Sequence, residues 1–171
     1  MKRIGVLLVL LFAVGLISCS ADKTDVKKKS NQTEQNTEQS KSTDTGCDPS
    51  LWDHVYDPSR LEVRDKCKVV TGIVKELGEN EDGDTHLLLK LDPGQEDLLT
   101  KRNIKKKDGN LVAEVVCANK ITDKKAVEAC RGFSNSIALP AVGDHVRVTG
   151  SYVLDSHNDW AEIHPVSKIE K

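Results

Sequence analysis

The sequence predicts a mainly β domain with one short helix at residues 47–171. Two observations predict this class. Five short segments are rich in valine, isoleucine and leucine, or alternate apolar with polar residues, as strands do. Each segment is bounded by glycine or by polar residues that favour turns. About 125 residues is an ordinary size for one domain with its own core.

The first two strands are predicted at residues 67–77 and 85–91, joined by a polar turn. Gly72 lies inside the first strand, and a glycine there often marks a sharp bend. A bent strand can pair with two halves of a closed sheet. The second strand places Leu87 and Leu89 on one face and His86 on the other, because successive side chains alternate.

The middle of the domain is predicted to contain a loop, a strand and the helix. Residues 93–110 are polar and are predicted to form a long loop, and residues 111–117, rich in valine, form the third strand. Residues 122–130 suit a short helix. Thr122 would cap its first turn and Gly132 would end it.

The last two strands are predicted on either side of a turn at residues 155–159. The fourth strand follows residues 142–144 and places Val146 and Val148 on one face. The fifth strand covers residues 160–169, with Ala161 and Ile163 on one face. The expected order is therefore three strands, a helix and two strands.

This order resembles the OB-fold, a five-stranded Greek-key barrel. The resemblance covers residues 67–169. It depends on the element order, on Val-Val-Thr-Gly-Ile-Val at 69–74 and on the Gly-Asp-x-Val-x-Val-x-Gly run at 143–150. It implies a small OB-like barrel with one short helix. A different small barrel is the alternative.

The N-terminus has the pattern of an export signal. Met1-Lys2-Arg3 is positively charged, and residues 4–17 are almost wholly apolar, a length that suits a signal peptide and is short for a membrane span. The following Leu16-Ile17-Ser18-Cys19 resembles the bacterial lipobox. That resemblance implies that residues 1–18 are a signal peptide and that Cys19 is acylated, as in palmitate-bearing lipoproteins. The alternatives are an uncleaved anchor or an ordinary secretory signal.

The lipobox also implies a location. The chain would be anchored by lipid in the cell membrane or the outer membrane, with its domain facing the periplasm or the exterior. Residues 19–46 would then be the lipidated N-terminus and a disordered linker. Among residues 20–46 only Ala21 and Val26 are apolar, which is too little to offset the entropy of ordering. Such a coil spans roughly 30 Å.

The chain has five cysteines, an odd number. Acylation of Cys19 would leave four, and an even set in an exported domain predicts disulfides. Three pairings of these four are possible. Pairing of Cys47 with Cys67 and of Cys117 with Cys130 is favoured, because each closes a short local loop. Zinc is the alternative, but no two cysteines have C-x-x-C spacing. Residues 47–66 would wrap the surface of the domain.

The charge of the domain argues against nucleic acid as a partner. Residues 47–171 contain 18 Lys and Arg against 22 Asp and Glu, a formal net charge of −4. Proteins that bind nucleic acid obtain most of their affinity from basic contacts to phosphate. The basic cluster at residues 101–107 is more typical of a solvated loop.

The Asp-Gly-Asp-Thr run at residues 82–85 resembles the start of the thermonuclease-like nucleases. In that family the second aspartate binds calcium beside the scissile phosphate, which would give Asp84 this role. The family also has an arginine in the third strand, whereas residues 111–116 contain none. The alternative is a simple hairpin turn, since Asp-Gly is a strong turn signal.

Alternation along the fifth strand places Trp160, Glu162 and His164 on one face. With His86 they form the candidate ligand face, because an aromatic beside polar side chains suits ligand contact. The alternative is a solvent-facing polar stripe. Four side chains are candidate metal ligands, namely Asp84, His86, Glu162 and His164. Only two of them can be placed together from the sequence.

These observations predict a lipid-anchored, non-catalytic binding module of the cell envelope. Its partner would be a protein, a glycan or another small ligand, and no catalytic residue or cofactor is predicted. Two alternatives stay open. One is a divergent metal-dependent nuclease or hydrolase, and the other is a structural envelope lipoprotein.

Overall fold

The structure, a computed structural model, describes residues 46–171. The predicted signal peptide, Cys19 and nearly all of the predicted linker lie outside the described residues. Within residues 46–171, no helix is long and apolar enough to span a membrane.

The fold is mainly β, as predicted, and its five strands form one mixed sheet that closes in a ring. The strands are β1 Leu61–Glu79, β2 Thr85–Leu91, β3 Leu111–Val115, β4 His145–Asp155 and β5 Trp160–Glu170. Around the ring their order is β1-β2-β3-β5-β4, and β4 pairs back with β1. Neighbours are antiparallel except β3 and β5, which are parallel.

The bend in β1 lies at Gly72. This residue pairs with Leu91 of β2 and with Val146 of β4, so it lies where the two sets of pairings overlap. A Cβ atom at Gly72 would lie 2.4 Å from the carbonyl oxygen of Lys90, which leaves no space for a side chain. The glycine therefore allows one long strand to contribute to both halves of the ring.

The core lies inside the ring and follows the predicted alternation. Leu87 and Leu89 of β2, Val148 of β4 and Ile163 of β5 are fully buried in one apolar cluster. Burying such side chains stabilises the fold by about 1.5–3 kcal/mol each. The period-2 pattern of the strands thus predicts the inner face correctly.

The only α-helix among the described residues was not predicted. It is α1, Lys101–Lys106, and it lies inside the segment 93–110 that was expected to be a loop. Thr100 and Asn103 form a capping box at its start. The Asn103 side chain also accepts a hydrogen bond from the Ala161 amide at 2.8 Å and donates one to the Ala161 carbonyl at 2.9 Å. These contacts dock α1 on β5.

The predicted helix at residues 122–130 is wrong, because the structure has a run of turns there. The Thr122 hydroxyl does not cap a helix but donates to the Glu81 carbonyl at 3.4 Å. The Asp123 side chain instead accepts from the Lys125 amide at 2.9 Å, which is a local turn. The segment is held by Glu81 at one end and by the disulfide of Cys130 at the other, and these ties replace helical bonds.

A second apolar cluster covers part of the outside of the ring. Two 3-10 helices, Pro49–His54 and Pro58–Arg60, precede β1. Leu51 of the first helix and Val55, which directly follows it, pack with Val116 and Val153. Residues 61–66, expected in this covering segment, belong to β1 instead.

The disulfides are the two pairs favoured from the sequence. Cys47 is bonded to Cys67 and Cys117 to Cys130. Cys117 and Cys130 are buried within the outer apolar cluster, whereas Cys47 and Cys67 are partly exposed. The first bond therefore attaches the covering segment to β1, and the second closes the turn segment over the outer face.

Candidate functional site

Glu162 and His164 of β5 point to the outer face of the ring, as their alternation predicts, but they are not exposed. Glu162 is 0% and His164 1% exposed. Their burial contradicts the alternative of a solvent-facing polar stripe at these two residues. The reason is the second layer, since the outer apolar cluster and its disulfide cover this part of the sheet. Periodicity identifies a face but does not show whether another segment covers it.

His164 is surrounded by three carboxylates. Its Nδ1 lies 3.1 Å from Oε1 of Glu162 and 3.2 Å from Oε2 of Glu114. Its Nε2 lies 3.8 Å from Oδ2 of Asp84. We call Asp84, Glu114, Glu162 and His164 the buried acidic cluster. Three strands supply it, because Asp84 directly precedes β2, Glu114 lies on β3, and the other two lie on β5.

Asp84 is positioned by the turn that precedes it. Gly83 has a φ of +96°, a conformation that favours glycine. The Asp82 side chain accepts a hydrogen bond from the backbone amide of Asp84 at 3.1 Å. The side chain of Asp84 is buried, and its Oδ1 accepts a hydrogen bond from the backbone amide of Cys117 at 2.8 Å. The carboxylate is only 2% exposed, unlike a ligand at an open phosphate site. Residues 82–84 therefore form the predicted Asp-Gly turn, and the turn places the carboxylate of Asp84 in a buried position.

A second ion pair adjoins the cluster. Arg60 forms a salt bridge with Asp155, and its Nη1 lies 4.0 Å from Oε1 of Glu162. Asp155 is fully buried, and its Oδ1 also accepts hydrogen bonds from the backbone amides of His157 at 2.8 Å and Asn158 at 3.1 Å. Asp155 thereby organises the β4–β5 turn and fixes the one arginine side chain of this site.

Glu114, Arg60 and Asp155 were not predicted as site residues. For Glu114 a signal existed, because it is the single charged residue in the apolar run at 111–116. A charge inside a buried strand needs a partner, so such a residue indicates a polar site. For Arg60 and Asp155 the sequence gives no comparable signal, since both lie in polar, turn-rich stretches.

The buried acidic cluster contains three carboxyl groups and one imidazole. The pKa values of Asp84, Glu114 and His164 are all raised above their usual values. Burial and the negative charge of Asp82 raise the pKa of Asp84 to about 6. Burial also raises the pKa of Glu114 to about 7. Burial alone would lower the pKa of His164, but the neighbouring carboxylates outweigh it and raise that pKa to about 9. All three groups therefore hold a proton more tightly than usual.

His86 and Trp160, the other members of the predicted ligand face, line a cleft of about 390 Å³. Glu114 forms part of its wall, and the remaining lining residues are Arg60, Asn80, Lys107, Val112, Asp155, His157 and Asn158. The Trp160 indole donates from Nε1 to Oε2 of Glu162 at 3.0 Å, and Lys107 Nζ lies 4.1 Å from its ring centre. The predicted face thus separates into an open part and a buried part.

His86 is half-buried at the wall of this cleft. Its Nδ1 lies 3.2 Å from Oδ1 of Asn80, and its Nε2 lies 3.8 Å from the Glu76 carboxylate. Burial and the positive charge of Lys107 lower the pKa of His86. These contacts give His86 a neutral, fixed ring that can exchange hydrogen bonds with a ligand.

Among residues 46–171, two groups of side chains are close enough to share a metal ion. One atom each from Asp84, Glu114 and His164 lie within 4.8 Å of one another. The second group is Asp84 with Cys117 and Cys130, but these sulfurs form a disulfide and so are not thiolate ligands. Of the predicted metal candidates, Asp84 and His164 belong to the first group. Glu162 contacts His164, whereas His86 makes its contacts elsewhere.

No protein family, curated protein or solved structure matches this chain.

Proposed function

We propose that this protein is a lipid-anchored protein of the bacterial envelope whose domain binds a glycan in the cleft beside Trp160. The observation that carries the proposal is the composition of that cleft, where an indole ring adjoins basic, acidic and amide side chains. Ligand sites commonly combine an apolar or aromatic surface with a few fixed polar groups.

The position of the cleft supports an OB-like interpretation of the ring. OB-folds bind oligonucleotides and oligosaccharides on the face of strands 2 and 3 and through the loops between strands 1 and 2 and between strands 4 and 5. Here His86 is on β2 and Glu114 on β3, while Asn80 lies between β1 and β2. His157 and Asn158 lie between β4 and β5. In an OB-like ring, the cleft would correspond to the ligand-binding face.

Charge favours a glycan over a nucleic acid as the occupant. The domain has a formal net charge of −4. Arg60 is engaged by Asp155, and Lys107 lies against the Trp160 ring, so neither is held out for phosphate. Carboxylates and amides that pair with hydroxyl groups, beside an aromatic surface, suit a sugar better than a polyanion.

The ligand part of this proposal predicts that Trp160→Ala weakens glycan binding by at least about tenfold, because a fixed aromatic surface is lost. Soluble fragments of bacterial cell-wall glycan would be titrated into the full-length chain, with binding measured by calorimetry. Trp52→Ala is the matched control. Trp52 also donates its indole N–H, to Ser151 at 3.1 Å, but it lines a different pocket.

Thermal unfolding would confirm that both tryptophan variants are folded. Equal glycan affinity in the wild type and Trp160→Ala would remove the cleft as the binding site. Loss in Trp52→Ala alone would place the ligand beside the Cys47–Cys67 disulfide instead.

The anchoring part predicts that the native protein begins at an acylated Cys19. Intact mass spectrometry of protein extracted from membranes would give the mass of residues 19–171 plus acyl groups. Cys19→Ala should remove the acyl mass from the protein, because the thiol that would carry the lipid is gone. A native protein that retains Met1, or an unmodified Cys19, would contradict this assignment.

A further inference from the structure

We propose that Asp84, Glu114 and His164 form a binding site for a divalent transition-metal ion, for which zinc is the probe. The site lies at the outer face of the ring, beside the cleft and distinct from the glycan contacts of Trp160. It goes beyond the proposed function, since the ion can bind whether or not a glycan does.

Unpartnered atoms are the first argument. In the part of the chain that the structure describes, four buried side-chain polar atoms have no hydrogen-bond partner. Three of them are Asp84 Oδ2, Glu114 Oε2 and His164 Nε2. Glu114 Oε2 lies 3.2 Å from His164 Nδ1, but that nitrogen donates to Glu162, so the oxygen gains no hydrogen bond there. Buried polar groups are nearly always satisfied, so three such atoms in one place indicate a missing ligand. Two of the three are carboxylate oxygens, which accept but do not donate when ionised, and a cation satisfies both.

The orientation of His164 is the second argument. Its Nδ1 lies 3.1 Å from Oε1 of Glu162, which accepts the one proton that this nitrogen donates. Glu162 is itself fixed, because its other oxygen accepts the Trp160 indole N–H. Nε2, which faces Asp84, is then the nitrogen that can coordinate an ion, and a metal ion that binds there displaces its proton. Histidines that bind metals have this arrangement, with a carboxylate on the second ring nitrogen.

Charge balance is the third argument. Arg60 compensates Asp155, and the His164–Glu162 contact pairs a ring N–H with a carboxylate. Asp84 and Glu114 remain as two buried carboxylates, and the positive charge beside both is that of protonated His164, which a metal-bound imidazole no longer carries. Buried charges are paired or coordinate metals, because desolvating them alone is costly. A divalent ion supplies the two positive charges that this pair lacks.

The donor set selects the class of ion. One imidazole nitrogen with two carboxylate oxygens suits zinc or a similar first-row ion, whereas calcium and magnesium prefer oxygen ligands throughout. Two ligands that each lie about 2.0–2.2 Å from zinc are separated by roughly 3–4 Å. The 3.8 Å between His164 Nε2 and Asp84 Oδ2 fits this spacing.

Glu114 lies both in the site and in the wall of the cleft. The cleft is therefore the side from which an ion would approach the three buried ligands. Three protein ligands leave a fourth position of a tetrahedral zinc open to water or to a bound molecule.

The test uses the untagged full-length chain in detergent, stripped with chelator and then dialysed against zinc. We expect one zinc per chain by elemental mass spectrometry and a higher unfolding temperature, since an ion that binds only the folded state stabilises it. Excess calcium or magnesium should not displace the zinc. Asp84→Asn and Glu114→Gln should each weaken zinc binding by more than about 100-fold, since even second-layer partners contribute 10–100-fold.

Two further variants complete the design. Glu162→Gln should weaken binding by about 10–100-fold, as expected for a positioning residue that acts through His164. Asp92→Asn is the control, because Asp92 contacts His145 at 2.9 Å in an exposed pair and should leave zinc binding unchanged. A wild-type chain that takes up no zinc would overturn the proposal. Unchanged zinc binding in folded Asp84→Asn and Glu114→Gln would overturn it as well.

Discussion

Replacement of Arg60 by methionine is expected to destabilise the domain by about 3–5 kcal/mol, the usual cost of removing one partner from a buried ion pair. Arg60 is the cation that faces Asp155, and it also approaches Glu162. Without it the fully buried Asp155 keeps its amide contacts but loses its counter-ion. Methionine fills a similar volume, so the loss of charge rather than of packing is tested.

Chemical denaturation of the full-length chain, followed by far-ultraviolet circular dichroism, would measure this effect. Arg64→Met is the matched control. Arg64 also pairs with a carboxylate, Glu62 at 2.9 Å, but its side chain is 49% exposed against 18% for Arg60. Exposed pairs contribute about 0–1 kcal/mol. Similar losses for the two variants would show that burial does not decide the strength of the Arg60 pair.

Removal of the Cys117–Cys130 disulfide is expected to destabilise the domain by about 3 kcal/mol or more. The bond closes a loop with a sequence separation of 13, and both cysteines lie within the outer apolar cluster. The variant is Cys117→Ala with Cys130→Ala. Besides the entropy gained by the unfolded chain, this change removes two buried sulfurs and loosens the segment whose amide, at Cys117, binds Asp84.

The control is Cys47→Ala with Cys67→Ala, which opens a loop with a separation of 20. Chain entropy alone predicts losses of similar size for the two bonds. Zinc uptake separates them, because only the Cys117–Cys130 bond holds a segment that contacts the buried acidic cluster. Equal zinc affinity in both double variants would show that the disulfide does not support Asp84.

Strands were predictable here because their information is local. β2 has the predicted bounds, residues 85–91, and the inward-facing Leu87 and Leu89 follow from alternation alone. The helices were not predictable, because they depend on contacts between residues that are far apart in sequence. α1 is short and basic, and it is held in place by Asn103 bonding to Ala161, which is 58 residues away in sequence. The residues at 122–130 suit a helix, but the structure has turns there. The segment is held instead by hydrogen bonds to Glu81 and by the disulfide of Cys130 to Cys117.

The site was predicted in part. Asp84, Glu162 and His164 were identified individually, but their convergence with Glu114 depends on the register of three strands. The parallel pairing of Val112 with Glu162 sets that register between β3 and β5. No pattern within one segment contains this information. The burial of Glu162 was equally hidden, because the covering layer comes from residues before β1 and after β3.

The place of β5 between β3 and β4 has a consequence for biosynthesis. This strand, Trp160–Glu170, follows the other four strands in sequence, yet it pairs with both of its neighbours along the ring. A nascent polypeptide that still lacks these residues presents two unpaired strand edges, which are prone to association with other chains. Ring closure must therefore wait until β5 has been synthesised, and a product truncated before residue 160 would be a target for proteases and chaperones.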